Sequence, residues 1–385
     1  MQFIEKFRRI TSSGEYFTEI DGLRFIAILS VVLFHISCAI KTPMLDTLQD
    51  NAILGLLYKN GWQGVELFFV ISGFIIGLPF AKHYINGEKK VKLKNYFLRR
   101  VTRLEPPYFI ALILFFVIQL LAHQNTLSHG LPSVLASMIY ANNIIFNDLG
   151  YFVNSVLWSL EVEIQFYIFA IFFVQVFRLT KLYRRLSFVA LILGIPLLHL
   201  VYFPKTTTVY YFLQFFFLGF LLVDMYLDKK RINIPKIFSI ILGTLSLICL
   251  LYFDYKVSLL NQYIFLFGIF GLYYSVLING FGKSFFTNKY ITVIGGMCYS
   301  IYLIHAPITS AFANISKYFI ISNHIIPNLL LFTVICIPLL LIPSAIYFKF
   351  IEKPCMDKNW PQKLAGRMKL LFKKKKYEFG KVEES

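Results

Sequence analysis

One apolar stretch of this sequence contains both an arginine and a histidine, residue types that are costly to place inside a bilayer. Arg24 and His35 are eleven residues apart, so on a helix they share one face at a separation of roughly 16 Å. An imidazole titrates near neutrality and can act as a general base toward a hydroxyl. Asp21 lies three residues before Arg24 and is predicted to pair with it. A snorkelling arginine and a hydrogen-bonded core histidine are the alternative interpretation.

A second ionisable group is predicted at the depth of His35. Glu163 and Tyr167 are four residues apart and share a helix face. A carboxylate beside His35 would fix the tautomer of the imidazole and raise its basicity. Glu161, in the same segment, is expected to face water at the membrane interface. Cys38 lies one turn beyond His35, but nothing else in the sequence supports a thiol–imidazole pair.

Two arginines are candidates for binding phosphate. Arg100 and Arg103 lie on one face if their segment is helical, and guanidinium groups hold phosphate in a bidentate manner. Ordinary positive flanking of a membrane span explains them equally well. In another apolar segment, Ser72 and Gly73 permit close helix packing or leave room for a substrate chain, and Glu66 adds a buried acid.

The segment 299–305 ends in a further intramembrane histidine. Tyr302 and His305 belong to a span that runs in the same direction as the span of His35. We therefore expect His305 in the outer half of the membrane, at a depth similar to that of His35.

The elements that position these side chains are membrane-spanning helices. The chain has 385 residues, 57% hydrophobic and 15% charged, with a mean hydropathy of +0.66. Soluble domains are about 45–50% apolar and about 25% charged, so the composition predicts an all-α integral membrane protein. Spans need about 20 mostly apolar residues. Ten segments qualify: 22–40, 62–80, 105–123, 155–177, 186–203, 208–227, 237–253, 258–279, 291–314 and 326–348. The segment 129–146 contains Pro132 and two asparagines and is interpreted as re-entrant or interfacial.

The distribution of basic residues accounts for the formal net charge of +18. With both termini in the cytosol, 32 of the 38 Lys and Arg residues fall in cytosolic segments and 5 on the other side, as the positive-inside rule requires. Nucleic acid is not needed to explain the charge. The run Lys373–Lys376 is expected to contact anionic lipid of the bilayer.

A single transmembrane domain, 1–355, followed by a basic cytosolic tail, 356–385, is the predicted organisation. No sustained internal repeat and no fused extracytoplasmic domain are apparent. The five cysteines are scattered without a CxxC pair or a metal-ligand spacing, so no metal is expected.

Six segments in the same order resemble the acyltransferase-3 family of multi-spanning bacterial O-acyltransferases. The resemblance extends from about residue 20 to residue 354. It rests on Arg24-x10-His35, FFVISGF (68–74), Arg100-x-x-Arg103-Leu104-x-Pro106, WSLEVEIQFY (158–167), YSIYLIH (299–305) and IEKP (351–354). Glu161 departs from the family block, which usually has Ser, so Glu163 is the better site candidate. Glu66 stands where the family often has Asp.

The resemblance implies transfer of acetyl, or another short acyl group, from cytosolic acetyl-CoA to a hydroxyl of a cell-envelope or exported polysaccharide or glycolipid. It implies a bacterial plasma-membrane enzyme, which acts on its acceptor directly or through an extracytoplasmic partner. The implied catalytic residues are His35 (general base, or carrier of a transient acyl group), Glu163 and Arg24. The implied donor-binding residues are Arg24, Arg100, Arg103 and Ser72. The acceptor-binding candidates are Asp21, Glu66, Tyr167, Tyr302 and His305.

A transporter or flippase of a glycolipid or small solute is the alternative class. Its gating network would consist of Asp21, Arg24, Glu66 and Glu163. Many transporters have inverted repeats with broken helices in matching positions, and none is apparent here. Consumption of acyl-CoA distinguishes the two classes, because a transporter has no need of it.

Overall fold

A computed structural model describes residues 5–10, 16–39, 54–146, 153–201, 207–229, 234–322, 324–357, 359–363 and 366. The described residues form helices and contain no strand, so the predicted all-α class is confirmed. Most of the predicted tail, 356–385, and all of the run Lys373–Lys376 lie outside the described residues.

Sixteen α-helices are present in the described ranges. They are α1 Thr18–Cys38, α2 Leu54–Asn60, α3 Gly64–Asn86, α4 Leu93–Leu121, α5 Leu127–Met138, α6 Asn142–Ile145, α7 Leu157–Phe173, α8 Lys181–Val201, α9 Val209–Leu227, α10 Lys236–Tyr252, α11 Leu259–Leu277, α12 Lys283–Phe286, α13 Lys289–Gly296, α14 Cys298–Ala313, α15 Ile325–Tyr347 and α16 Lys353–Cys355. Tight 3₁₀ turns precede α3 and follow α7, and a π-turn, Phe348–Glu352, joins α15 to α16.

The helices match the ten predicted spans in position. Eight are long and apolar enough to cross a membrane: Thr18–Cys38, Gly55–Asn86, Leu93–Leu121, Leu157–Arg178, Lys181–Val201, Val209–Leu227, Leu259–Leu277 and Ile325–Cys355. α13 and α14 form a ninth together, bent by 69°. α10 is apolar but has only 17 residues. The chain is therefore a multi-spanning protein, while the count of ten and the cytosolic termini stay predictions.

α3 and α9 pack so closely that their backbones touch at two glycines. A Cβ on Gly73 would lie 2.2 Å from the carbonyl oxygen of Phe216, and one on Gly219 would lie 2.4 Å from that of Val70. α3 and α9 therefore touch along a stripe that only small residues allow. Gly73 serves this packing, while its neighbour Ser72 faces a cavity.

The break between α13 and α14 lies against the beginning of α1. A Cβ on Gly295 would lie 1.8 Å from the carbonyl oxygen of Asp21, so a side chain there would force the two helices apart. The glycine thus fixes the start of α14, and with it Tyr302, relative to Asp21.

The segment 129–146 forms two short helices, α5 and α6, and each is too short to cross a membrane. Polar groups attach this segment to α7. The carboxylate of Glu161 accepts from the backbone N–H of Asn143 at 3.0 Å, and the amide of Gln165 donates to the side-chain oxygen of Asn143 at 2.8 Å. Glu161 is fully buried. The expectation that Glu161 faces water was wrong, because α6 covers this face of α7.

We expect Glu161→Ala to lower the free energy of unfolding by about 1–3 kcal/mol, since the buried N–H of Asn143 loses its acceptor. Glu161→Gln keeps an acceptor oxygen and serves as the matched variant, with stability near that of wild type. Thermal unfolding of the purified protein in detergent measures both. Equal stability of the alanine variant and wild type would contradict the role given to this contact.

Candidate active site

A cavity of about 720 Å³ lies between α1, α3, α4, α7 and α14. It falls in the size range typical of small-molecule sites. Of the predicted site residues, its lining includes Arg24, Ser72, Arg100, Arg103, Glu163, Tyr167 and Tyr302. Asp21, Glu66, His35 and His305 are not part of the lining.

Cationic side chains dominate this cavity. The basic lining residues are Arg9, Arg24, Lys82, Lys89, Lys90, Lys92, Arg99, Arg100 and Arg103. The acidic ones are Glu88, Glu163 and Glu352. Nine cations against three carboxylates create a positive potential, which low-dielectric walls strengthen. The cavity is therefore built for an anionic ligand.

Arg100 and Glu163 are fixed by their neighbours on three helices. The Arg100 guanidinium lies between two aromatic rings, 5.0 Å from that of Tyr96 and 4.5 Å from that of Tyr167. The carboxylate of Glu163 accepts from the hydroxyl of Tyr167, as their spacing predicted, and from the hydroxyl of Ser72 at 2.5 Å. These bonds hold Glu163 in the cavity wall beside Arg100.

Arg103 and Glu352 form the next part of the wall. The Nε atom of Arg103 is buried and has no hydrogen-bond partner among the described residues. Glu352 is also buried, but its carboxylate accepts from the N–H of Ser300 at 3.0 Å and from the Ser300 hydroxyl at 2.5 Å. Arg103 thus keeps its Nε donor free, while Ser300 occupies one oxygen of the Glu352 carboxylate.

Asp21 binds two guanidinium groups at the beginning of α1. Its carboxylate lies 2.6 Å from Nη1 of Arg24, which confirms the predicted pair, and 2.9 Å from Nε of Arg9. The sequence did not single out Arg9, because the positive-inside rule already accounted for a basic residue before the first span. Burial, together with the neighbouring Arg24 guanidinium, lowers the pKa of Arg9 to about 10, so Arg9 stays protonated at neutral pH.

The two intramembrane histidines are in contact, as their similar predicted depth allows. The ring centroids of His35 and His305 are 4.8 Å apart in an edge-to-face arrangement. Nδ1 of His35 lies 3.1 Å from the carbonyl oxygen of Val31, and Nδ1 of His305 lies 2.7 Å from that of Tyr302. Carbonyl oxygens only accept, so each Nδ1 carries hydrogen and each Nε2 has a free lone pair.

The histidines differ in access. His305 is completely buried, and its Nε2 has no partner within the described ranges, whereas His35 is half-buried. His35 is therefore the histidine that a substrate can reach. Its hydrogen bond to Val31 replaces the orienting carboxylate that the sequence suggested, since Glu163 binds Ser72 and Tyr167 instead. Cys38 is exposed and makes no described hydrogen bond with His35.

Tyr302 connects the cavity with the histidine pair. The Tyr302 hydroxyl lies 2.6 Å from that of Ser159, which also lines the cavity. The Tyr302 ring centroid is 5.3 Å from that of His305. Tyr302 thus lines the same cavity as the arginines and also contacts the histidine pair.

Glu66 lies apart from the cavity, at the start of α3. It is buried, and one carboxylate oxygen accepts from the hydroxyl of Tyr255 at 2.5 Å. Its other oxygen has no partner in the described part of the chain. Nearby, the Lys256 ammonium lies 3.8 Å from the ring centroid of Trp62. These groups form a second polar cluster, separate from the arginines.

The fold and site define a multi-spanning membrane protein with a mostly cationic cavity, one lining residue of which, Tyr302, contacts a histidine pair. Residues 17–348 match the acyltransferase domain that defines the acyltransferase-3 family. The chain belongs to this family, which confirms the resemblance seen in the sequence.

Curated relatives of this chain include bacterial O-acetyltransferases. The chain is 25% identical over 327 residues to peptidoglycan O-acetyltransferase OatA of Listeria monocytogenes, covering 77% of this chain and 50% of the relative. It is 26% identical over 375 residues to a putative O-acetyltransferase of Staphylococcus aureus strain COL, covering 88% and 57%. It is 25% identical over 381 residues to O-acetyltransferase OatA of S. aureus strain NCTC 8325, covering 90% and 58%.

The chain thus spans about half to three fifths of the length of these curated relatives. No solved structure matches it significantly. Among the described residues, no group of three or more His, Cys, Asp or Glu side chains is placed to hold a metal ion.

We expect Asp21→Asn to lower the free energy of unfolding by about 3–5 kcal/mol, because two buried guanidinium groups lose the carboxylate between them. Glu19→Gln is the matched control, since Glu19 is half-buried two residues earlier and, among the described residues, its carboxylate accepts only from the hydroxyl of Thr18. Unfolding in detergent measures both variants. A stability of Asp21→Asn equal to that of Glu19→Gln would rule out this role for the ion pairs.

Proposed function

We propose that the protein transfers acetyl, or another short acyl group, from cytosolic acyl-CoA to a hydroxyl of a cell-envelope or exported polysaccharide or glycolipid. The observation that carries the proposal is the cavity, whose lining includes nine basic residues and Tyr302, the ring of which contacts His305 of the histidine pair. A transporter does not require this combination of a phosphate-binding end and a proton acceptor. The proposed location is a bacterial plasma membrane, with both termini in the cytosol.

Acyl-CoA suits the cavity because its phosphates are anionic and its pantetheine arm is long and narrow. Guanidinium groups of Arg24, Arg100 and Arg103 would bind the phosphates in a bidentate manner. Tyr96 and Tyr167 hold the Arg100 plane in place, which reduces the entropy lost on binding. The arm would then extend past Ser72 and Tyr302 and bring the thioester to His35.

The separation along α1 favours a role for Arg24 in binding the donor rather than in stabilising the reacting carbonyl. Arg24 is roughly 16 Å of helix rise from His35, and its guanidinium is tied to Asp21 at 2.6 Å. An oxyanion formed beside His35 is out of its reach. Glu163 belongs to the same end, where it positions Ser72 and Tyr167.

His35 is the proposed general base. Its Nε2 removes the proton of the acceptor hydroxyl while the oxygen forms a bond with the thioester carbonyl carbon. The carbon–sulfur bond then breaks, and the CoA thiolate leaves and takes the proton from His35. General base catalysis typically contributes about 10²–10⁴-fold in rate. The nearby His305, neutral in this scheme, stabilises the positive imidazolium through its free lone pair.

The acceptor is proposed to be a glycan that approaches from the side opposite the arginines. The name of the Listeria relative specifies peptidoglycan, and the class of acceptor is extended from it to this chain. Glu66 and Tyr255 are candidates for binding sugar hydroxyls, because Glu66 retains a free carboxylate oxygen. An extracytoplasmic partner that receives the acyl group is compatible with the same chemistry.

We expect His35→Ala to reduce transfer of labelled acetyl from acetyl-CoA into the envelope glycan fraction by about 10²–10⁴-fold, because the base is lost. The control is His199→Ala, which removes another membrane histidine that lies outside the cavity and contacts the Tyr210 carbonyl. Membranes with matched protein abundance are compared. Undiminished transfer by His35→Ala would remove His35 from catalysis, and no transfer by wild type with several acyl donors would favour the transporter.

We expect Arg103→Gln to raise the KM for acetyl-CoA by about tenfold to a hundredfold, because a hydrogen bond between charged groups contributes about 1.5–3 kcal/mol. The kcat should change little. Lys94→Gln, an exposed position on the same helix outside the cavity lining, is the matched control. Steady-state kinetics with varied acetyl-CoA give both constants, and equal KM values for the two variants would exclude Arg103 from the donor site.

A further inference from the structure

Residues 5–10 contribute Arg9 to the lining of the cavity and are attached to residues near the beginning and the end of the membrane domain. The ammonium of Lys353 donates to the carbonyl oxygen of Lys6 at 2.7 Å, and the N–H of Ile10 donates to the sulfur of Met356 at 3.4 Å. The ion pair of Arg9 with Asp21 ties the same segment to α1. This segment is therefore part of the cavity wall.

Adjacent arginines in this segment have opposite environments. The Arg8 side chain is 46% exposed and lies 3.7 Å from Glu5, with its guanidinium 4.8 Å from the ring centroid of Tyr16. The Arg9 side chain is 7% exposed and lines the cavity. Only Arg9 is thus placed to meet a ligand.

The hydrogen-bond capacity of Arg9 is mostly unused. A guanidinium has five N–H donors, and the described bond of Arg9 uses only Nε, which donates to Asp21 at 2.9 Å. The two terminal amino groups donate to no other residue in the described ranges. Four donors therefore remain for a ligand in the cavity.

Charge around Arg9 is also unbalanced. Asp21 supplies one negative charge for two guanidinium groups, and Arg24 is the second of them. Arg103, in the same cavity lining, has a buried Nε without a partner among the described residues. Positive charge in a partly buried site attracts an anion more strongly than charge on an open surface. A phosphate, with several acceptor oxygens, fits both the charge and the number of free donors.

We propose that Arg9 is a donor-phosphate ligand, which binds a phosphate or diphosphate group of acyl-CoA together with Arg24. The identity of the donor rests on the proposed function. Asp21 orients the two guanidinium groups by taking one donor from each. Residues 5–10 then form part of the donor site, beyond the arginines that the sequence blocks mark.

Arg9→Gln and Arg8→Gln form a matched pair, because each removes one positive charge from the same segment. Any effect of that charge on membrane topology is therefore the same in both variants. Arg9→Lys keeps the charge without the planar fork. Steady-state kinetics use three donors: acetyl-CoA, acetyl-dephospho-CoA and S-acetylpantetheine, which has no phosphate. Isothermal titration with CoA in detergent measures binding separately from turnover.

For Arg9→Gln, we expect a KM for acetyl-CoA at least about tenfold above that of wild type, with kcat little changed. Arg9→Lys should show a smaller increase, and Arg8→Gln should match wild type. With S-acetylpantetheine, the KM of Arg9→Gln should equal that of wild type. An increased KM that persists with acetyl-dephospho-CoA would assign Arg9 to the diphosphate. A KM equal to that of wild type with acetyl-dephospho-CoA would assign Arg9 to the 3′-phosphate.

An equal penalty with all three donors would overturn the proposal, since Arg9 would then act on the fold and not on a phosphate. An equal loss in Arg8→Gln would overturn it as well. Failure of the proposed function gives a different pattern. Wild type would bind CoA with an affinity that depends on Arg9, yet transfer no acetyl group.

Discussion

A single buried carboxylate, that of Asp21, holds the arginine-rich part of this molecule together. Asp21 neutralises part of the charge of Arg9 and Arg24, while its backbone oxygen touches the position of Gly295. Residues 5–10, the beginning of α1 and the end of α13 therefore meet at one residue. Buried guanidinium groups without this carboxylate would repel each other in a medium that screens poorly. Asp21 reduces the repulsion between Arg9 and Arg24, which allows the two guanidinium groups to lie close together. One carboxylate does not neutralise both of them, so enough positive charge remains to attract a ligand.

The cationic side chains of the cavity and the histidine pair occupy separate places in the structure. The arginines line the cavity together with Tyr167 and Tyr302, and the histidines lie outside the lining, where the ring of Tyr302 contacts His305. Such separation suits a long substrate that is bound by its anionic end and reacts at the other. A compact anion would fill the arginine end without reaching His35. The arrangement therefore favours a donor whose reactive group is carried on an extended arm.

Contacts within one helix were predictable from the sequence, and contacts between distant segments were not. The Asp21–Arg24 and Glu163–Tyr167 pairs follow from helical spacing, and the positions of the spans follow from hydropathy. Periodicity cannot show which segment covers a helix face, so Glu161 was assigned to water although α6 buries it. Arg9 was hidden for another reason: the positive-inside rule already accounted for its charge. The family motifs likewise gave no indication that His35 and His305 touch.

The contact between two imidazoles limits how many protons the site can hold. Two positive rings 4.8 Å apart would repel by about 3–4 kcal/mol at an effective dielectric constant of about 20. A second proton on the pair therefore comes only at considerable cost. A base that has taken the proton of a hydroxyl must lose it before the next cycle, and the departing thiolate is a suitable acceptor. A carboxylate in place of His305 would instead hold His35 in its protonated form and remove the base. In the proposed mechanism, a neutral histidine partner thus keeps His35 available as a base while still stabilising its transient charge.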